Sequence, residues 1–286
     1  MPNDEGAGLS GFAASNGVDS RMEQLGFVFA GLVVGIAVGA TGVGGGSLMT
    51  PILILFFSIK PTVAVGTDLL YASISKAFGV ALHGRNGSVD WKIVAWMSAG
   101  SVPATGLTLL ALRQFEPGPG MDETIKLVLA VAIIVTASFA LLQEPLAQLA
   151  RSKGWAILPG GTLERLQRPL TVAAGVLIGT LVTISSVGAG VIGMMMLLLL
   201  YPRHEPIKLV GSDLAHAVLI TGIAGLGHAG LGTVDYRMLV LLLCGALPGI
   251  WIGTRIGFRL PPKPLKRLVA GFLVFIGLTM VVSIVA

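Results

Sequence analysis

The stretch Gly35-Ile-Ala-Val-Gly-Ala-Thr-Gly-Val-Gly-Gly-Gly-Ser-Leu48 returns later in the same chain as Gly179-Thr-Leu-Val-Thr-Ile-Ser-Ser-Val-Gly-Ala-Gly-Val-Ile192. The correspondence continues outward from these glycine-rich pieces. Val65-Gly66-Thr67-Asp68-Leu69 meets Val210-Gly211-Ser212-Asp213-Leu214, and His83 meets His228. Gly87-Ser88-Val89-Asp90-Trp91 meets Gly232-Thr233-Val234-Asp235-Tyr236. The chain therefore contains one unit twice. Both copies interrupt apolar sequence with a glycine break, which is the pattern of a secondary transporter.

The sequence has 286 residues, of which 54% are apolar and 12% charged, with a mean hydropathy of +0.87. Soluble domains carry about 25% charged residues. Here the charges fall between long apolar runs, so the expected class is an all-α polytopic membrane protein. The net charge of +5 reads as loop bias, not as a nucleic-acid surface. The single cysteine, Cys244, excludes an internal disulfide and a thiolate metal cluster, and its apolar setting suggests a core thiol. The four histidines are scattered and give no metal-ligand set, so neither metal nor cofactor is expected.

The expected organisation is a disordered polar tail (1–24), a first transmembrane repeat (25–143), a cytoplasmic linker (144–168) and a second repeat (169–286). Apolar stretches near 25–40 and 43–58, and near 169–185 and 187–201, are about 15 residues each, short of the roughly 20 that a span needs. Each pair is expected to form a short hairpin around its glycine break, followed by three transmembrane helices. Five segments that enter and leave in this way give each half an odd number of crossings, so the second repeat is inverted. One face then holds Arg21, Lys60, Arg113, Lys126 and Arg237. Of the 19 Lys and Arg, the other face takes all the rest but Lys76, which lies within a segment. Parallel repeats would spread the same charges evenly. The positive-inside rule selects inverted repeats with both termini outside.

Non-helical backbone at membrane depth persists only where protein or a water-filled cavity satisfies it. A helix restarting after such a break directs free N–H groups and its positive dipole end back at it, which suits an anion. The expected substrate-binding residues are Thr41, Gly42, Gly44, Gly45, Gly46 and Ser47 in the first half. In the second they are Ser185, Ser186, Gly188, Ala189 and Gly190. Gly31, Gly35 and Gly39 also fit a G-x-x-x-G packing face, and packing is preferred for them.

Thr67-Asp68 and Ser212-Asp213 place an acid about six residues, ~9 Å, into a segment. Two readings stand level: a break with a helix N-cap and first-turn acid, or substrate and proton handling. Lys76 is the most deeply placed cation. It balances an acid, contacts the anion, or snorkels toward the Arg85 face. His216 follows Asp213 by three residues, which allows a proton relay or a hydrogen-bonded core histidine. His83 and His228 read as interfacial anchors.

With these residues in hand, the chain resembles the sulfite exporter TauE/SafE family. The signature G-x-x-G-x-G-G-G-x-L-x-x-P-x-L stands here as Gly39-Ala-Thr-Gly42-Val-Gly44-Gly45-Gly46-Ser-Leu48-Met-Thr-Pro51-Ile-Leu53. The second copy is looser, with Ser186 and Ala189 where the first has Gly42 and Gly45. The resemblance implies an inner-membrane permease for sulfite, short organosulfonates or related small anions. The expected function is a secondary transporter, with export favoured and proton coupling through Asp68, Asp213 or His216 as an option. An anion channel and a non-transporting assembly subunit are the alternatives. An intramembrane hydrolase using Ser47 or Ser185 lacks a G-x-S-x-G elbow and a matched base, so no enzyme is expected. The expected partners are a small anion and the lipid bilayer, with no nucleic acid; a homodimer is left open.

Overall fold

In the computed structural model the described residues are 7–41, 46–83, 89–114, 119–153, 162–257, 271–272 and 274–280. They hold nine long elements, all helical: α1 (Ala7–Thr41), α2 (Gly46–Phe57), α3 (Pro61–His83), α4 (Trp91–Gln114) and α5 (Pro119–Lys153), then α6 (Thr162–Ser185), α7 (Val191–Leu200), α8 (Pro206–Gly230) and α9 (Tyr236–Gly257). Among the described residues, six helices are long and apolar enough to cross a membrane, those of α1, α4, α5, α6, α8 and α9. The surface is apolar: Phe29, Leu107 and Leu226 face outward, while Asp68, Lys76, Asp213 and His216 are buried. That inversion of the soluble pattern is what a lipid solvent requires.

Several sequence expectations change here. The two short hairpin helices become one full-length helix and one short one. Arg21–Ala40 and Leu166–Ser185 each supply 20 residues, whereas Leu48–Phe57 and Val191–Leu200 are shorter. The added length comes from the polar first turns, where in the second half Gln167 donates to the Leu200 carbonyl at 2.9 Å and Arg168 lies over the Trp96 ring. α1 begins at Ala7, inside the segment expected to be a tail. α5 runs to Lys153 and α6 begins at Thr162, so helix enters the expected linker from both sides. Cys244, expected in the core, is exposed on the outer face of α9.

Two seams of glycines hold the helices together. Cβ atoms added at Gly31, Gly35 and Gly39 would meet backbone of Leu242, Ala246 and Ile250. The packing role preferred for these three glycines is therefore their role, and residue numbers rise together, so α1 and α9 run parallel. Gly175 and Gly179 meet Met97 and Ser101 in the same way, making α4 and α6 a second parallel pair. Gly245 abuts Val28 and Leu32, and Gly100 abuts Val172 and Val176. Each contact in one seam has its counterpart in the other under the sequence correspondence, with the halves exchanged. Backbone approaches this close maximise dispersion contacts, the main attraction left between helices in lipid.

α3 and α8 are the corresponding central helices, and they pack on each other. Leu70 lies against Gly225, and Ser73 against Gly222, its hydroxyl donating to the Val218 carbonyl at 3.1 Å. Here one number falls as the other rises, so α3 and α8 are antiparallel. A reciprocal pair of hydrogen bonds ties the halves: Asp235 N–H donates to Thr67 Oγ1 at 3.0 Å, and Asp90 N–H to Ser212 Oγ at 2.8 Å.

Candidate functional site

The polar centre of the fold lies along α3. Asp68, Tyr71, Ser75 and Lys76 recur at helical spacing on one buried face. Asp68 accepts from the backbone N–H of Thr50 at 3.2 Å and from the Thr50 hydroxyl, both on Oδ2. This fixes the carboxyl group against α2. Its second oxygen, Oδ1, is buried without a hydrogen-bond partner. The Ser186 side chain and Lys76 are the neighbours that act on it.

Antiparallel packing with α8 brings Asp213 and His216 to the other end of this face. Lys76 is therefore under the influence of the Asp213 and Asp68 charges, and its own charge acts on His216. Its ammonium donates to the Ala189 carbonyl at 2.8 Å. Lys76 thus sits on the second glycine break, under the influence of both acids; Arg85, toward which it could have snorkelled, lies outside the described residues. The Asp213 carboxylate lies over Gly193 in the first turn of α7, where any side chain would collide with it. His216 Nε2 is 2.8 Å from the Ser101 hydroxyl of α4, so its hydrogen bond crosses between helices and does not run back to Asp213.

The second break is well defined. α6 ends as the Ser186 N–H reaches the Val182 carbonyl at 2.7 Å, and Ser186 turns to φ 58. Gly188 at φ 107 and Gly190 at φ 134 follow, conformations that side chains oppose. The Gly188 carbonyl then accepts from Ile192 and Gly193, and α7 begins. Ser185 Oγ donates to the Leu181 carbonyl and accepts from Val187 N–H, so this hydroxyl is used in shaping the break. Ser186 Oγ is buried and has no partner. The break thus offers the Ser186 hydroxyl, whose nearest polar neighbour is Asp68, the N-terminal end of α7, and a carbonyl held by Lys76.

The first break separates α1, ending at Thr41, from α2, starting at Gly46. Gly42, Gly44 and Gly45 lie outside the described residues, as do the side chains of Thr41 and Ser47. Thr67 and Ser212 differ from the cap reading. α3 and α8 run unbroken through them, because the neighbouring Gly66 serves close approach to Thr233 and not a break. Both hydroxyls instead serve the start of a helix in the opposite half. There the capping acids are Asp90, which accepts from Lys92 N–H, and Asp235, which accepts from Met238 N–H, each at 2.9 Å. His228 is no interfacial anchor. It is fully buried, with Nδ1 2.9 Å from Thr233 Oγ1 and Nε2 2.9 Å from the Thr183 carbonyl, bracing α8 against α6.

Tyr71 and Ser75 were not legible as site residues, because a single apolar-segment tyrosine or serine gives no signal. Their spacing after Asp68, at three and seven residues, is the only trace in the sequence.

The sequence profile of the family described as "Sulfite exporter TauE/SafE" matches residues 27–280. The chain is 36% identical over 255 residues to "Probable membrane transporter protein YjnA" of Bacillus subtilis (strain 168), covering 89% of this chain and 98% of that protein. It is 30% identical over 238 residues to "Probable membrane transporter protein YdhB" of the same strain, covering 82% and 90%. It is 22% identical over 269 residues to "Probable membrane transporter protein MJ0441" of Methanocaldococcus jannaschii, covering 88% and 93%. No solved structure matches the chain.

Proposed function

Because this chain belongs to the sulfite exporter TauE/SafE family, we propose that it is a secondary transporter that exports a small anion, sulfite or a short organosulfonate, from a bacterium. The observation that carries this reading is the site along α3. A lysine, an unpartnered serine and a helix start converge on a non-helical break inside a bundle of membrane-length helices. Lys76 and the α7 N-terminus supply positive potential, and Ser186 supplies a donor. Asp68 and Asp213 offset that potential when ionised and leave it in force when protonated, so they are the coupling acids in this reading.

The repeats are inverted in this reading. Two equivalent helices packed antiparallel along their length need a relating axis that lies across them. α3 and α8 are such a pair, and the exchanged seams and the Thr67 and Ser212 bonds support the same axis. α8 is long and apolar enough to cross a membrane, so an axis across it lies in the membrane plane. The charge asymmetry of the loops then puts both termini in the periplasm of the inner membrane. With Cys244 replaced by alanine, single cysteines at Asn16 and Gly118 should react with an impermeant maleimide in intact cells, and those at Ser152 and Lys263 only after lysis. Labelling of Ser152 from outside would overturn the inversion.

Transport itself is tested in proteoliposomes. Vesicles preloaded with unlabelled sulfite should take up external labelled sulfite by counterflow, and the initial rate should saturate. Flux that rises linearly with concentration and shows no counterflow would instead establish the channel alternative. No binding and no flux for sulfite, thiosulfate or isethionate would leave the assembly-subunit reading.

A further inference from the structure

We propose that Tyr71 and Ser75 of α3, together with Ser186 of the break, donate hydrogen bonds to the oxygens of the transported anion, and that Asp68 binds one proton in the same step. The proposal rests on the anion-transport reading and names its contacts and the sign of its coupling.

Buried polar side chains are almost always partnered, and each exception needs an explanation. Asp68 Oδ1, Tyr71 OH, Ser75 Oγ and Ser186 Oγ are four such exceptions. None of the four residues is more than 2% exposed. They are also neighbours. Asp68, Tyr71 and Ser75 share a face of α3, the Ser186 side chain acts on Asp68 from the break, and Tyr71 is acted on by the Asp68 charge and the Ser75 side chain, so their nearest polar neighbours are one another. Three of the four are hydroxyls, each able to donate. The acceptors within the cluster are the hydroxyls themselves and Asp68 Oδ1, so once Asp68 is protonated the four groups together offer an excess of donors, which matches a ligand made of acceptors: the oxygen-rich head of a sulfite or sulfonate.

Asp68 sets the coupling. Both bonds from Thr50 end on Oδ2, which therefore acts as the acceptor oxygen. Oδ1 is the oxygen turned to the cluster. Ionised, it would repel an anion placed among the three hydroxyls. Protonated, it becomes a fourth donor. The anion and the proton accordingly bind together, which is symport.

The other ionisable groups near this acid can be named element by element. On α3 itself they are Tyr71 and Lys76. α8 contributes Asp213 and His216, both grouped around Lys76. α2 and the break have none. α9 carries Tyr236, Arg237 and Arg255 near its ends, and α6 carries Glu164, Arg165 and Arg168 at its start. α5 brings Asp122, which accepts from Thr62 at the start of α3, with Glu123, Lys126, Glu144, Arg151 and Lys153 elsewhere along it. Lys76, Asp213 and His216 are thus the other groups able to exchange a proton near the cluster, and loss of the pH dependence in Asp68→Asn separates all three from Asp68.

The test uses isethionate, whose charge is constant across the neutral range, and the purified full chain in detergent. Calorimetric affinity of the wild type should fall about tenfold per pH unit above the range where Asp68 titrates, as one linked proton requires. Asp68→Asn keeps a donor on the side chain and should bind with an affinity that no longer changes with pH. Tyr71→Phe, Ser75→Ala and Ser186→Ala should each weaken binding about tenfold, the equivalent of about 1.4 kcal/mol, with the pH slope kept. Should Asp68→Asn fail to fold, proton uptake by the wild type, read from calorimetry in buffers of different ionisation enthalpy, gives the same answer. One proton per anion supports symport and zero overturns it. Binding that stays pH-dependent in Asp68→Asn, or that all three hydroxyl variants leave intact, overturns the proposal while the transport reading stands. A wild type that binds none of isethionate, sulfite and thiosulfate overturns both.

Discussion

Lys76→Met should abolish transport and sharply lower the yield of folded protein, and adding Asp213→Asn should restore the yield but not the transport. Lys76 is 3% exposed, is under the influence of two carboxylates and donates to the Ala189 carbonyl. Removing one partner of a buried charge pair leaves the other uncompensated and costs about 3–5 kcal/mol. That is a large share of the roughly 5–15 kcal/mol that holds a typical protein folded. Methionine matches the length of lysine, so packing is kept and the effect reports charge. Asp213→Asn then removes the carboxylate on which Lys76 acts most strongly, while Asp68 keeps its bonds from Thr50, and the yield recovers. The anion site still lacks its cation and the break its anchor, so flux stays lost. Monodispersity and thermal unfolding in detergent measure the first effect, and sulfite counterflow the second. If the double variant transports at the wild-type rate, Lys76 is a structural counter-ion and nothing more.

The sequence correspondence pairs residues of the two halves, and glycine contacts of the fold fall on paired positions. The exchanged seams at Gly35 with Ala246 and Gly179 with Ser101 are the same pairing read from each copy. What the correspondence could not supply is partner choice. Thr67 precedes an acid and follows a glycine, which locally spells a cap. Its hydroxyl in fact meets Asp235 in the opposite half, and no local pattern encodes a neighbour that distant in sequence. His228 sits near a helix end, where anchoring is the default, yet the turn at Thr233 folds back to bury it. Lys76 could be placed deep within a segment, but only the antiparallel packing of α3 on α8 shows that Asp213 stands beside it. The cluster of Tyr71, Ser75 and Ser186 is legible only from burial without partners, a property of packing and not of residue type.

Gly190 in the second break and Gly35 in a seam are glycine for different reasons, so one added methyl group at each tests whether the break serves the proposed anion site. Gly190 has φ 134 and ψ −65 and starts α7. Alanine there is strained by about 1–3 kcal/mol whatever the space around it. The relief is local: the peptide between residues 189 and 190 rotates, taking with it the Ala189 carbonyl that Lys76 holds. Gly190→Ala should therefore fold, with a modest loss of thermal stability, and lose at least tenfold in sulfite affinity and most of its flux. Gly35 is different. It is an ordinary helical residue whose added Cβ would stand 2.9 Å from the Ala246 Cα. The seam between α1 and α9 would have to part along its length, because main chain cannot move aside as a flexible side chain does. Gly35→Ala should lower folded yield first, and the fraction that folds should bind normally. The comparison is made by size-exclusion profile, unfolding temperature and sulfite calorimetry on both variants. If Gly190→Ala binds as tightly as the wild type while Gly35→Ala loses affinity without losing yield, the assignment is reversed. The second break would then be a packing device and the α1 seam the part that handles the anion.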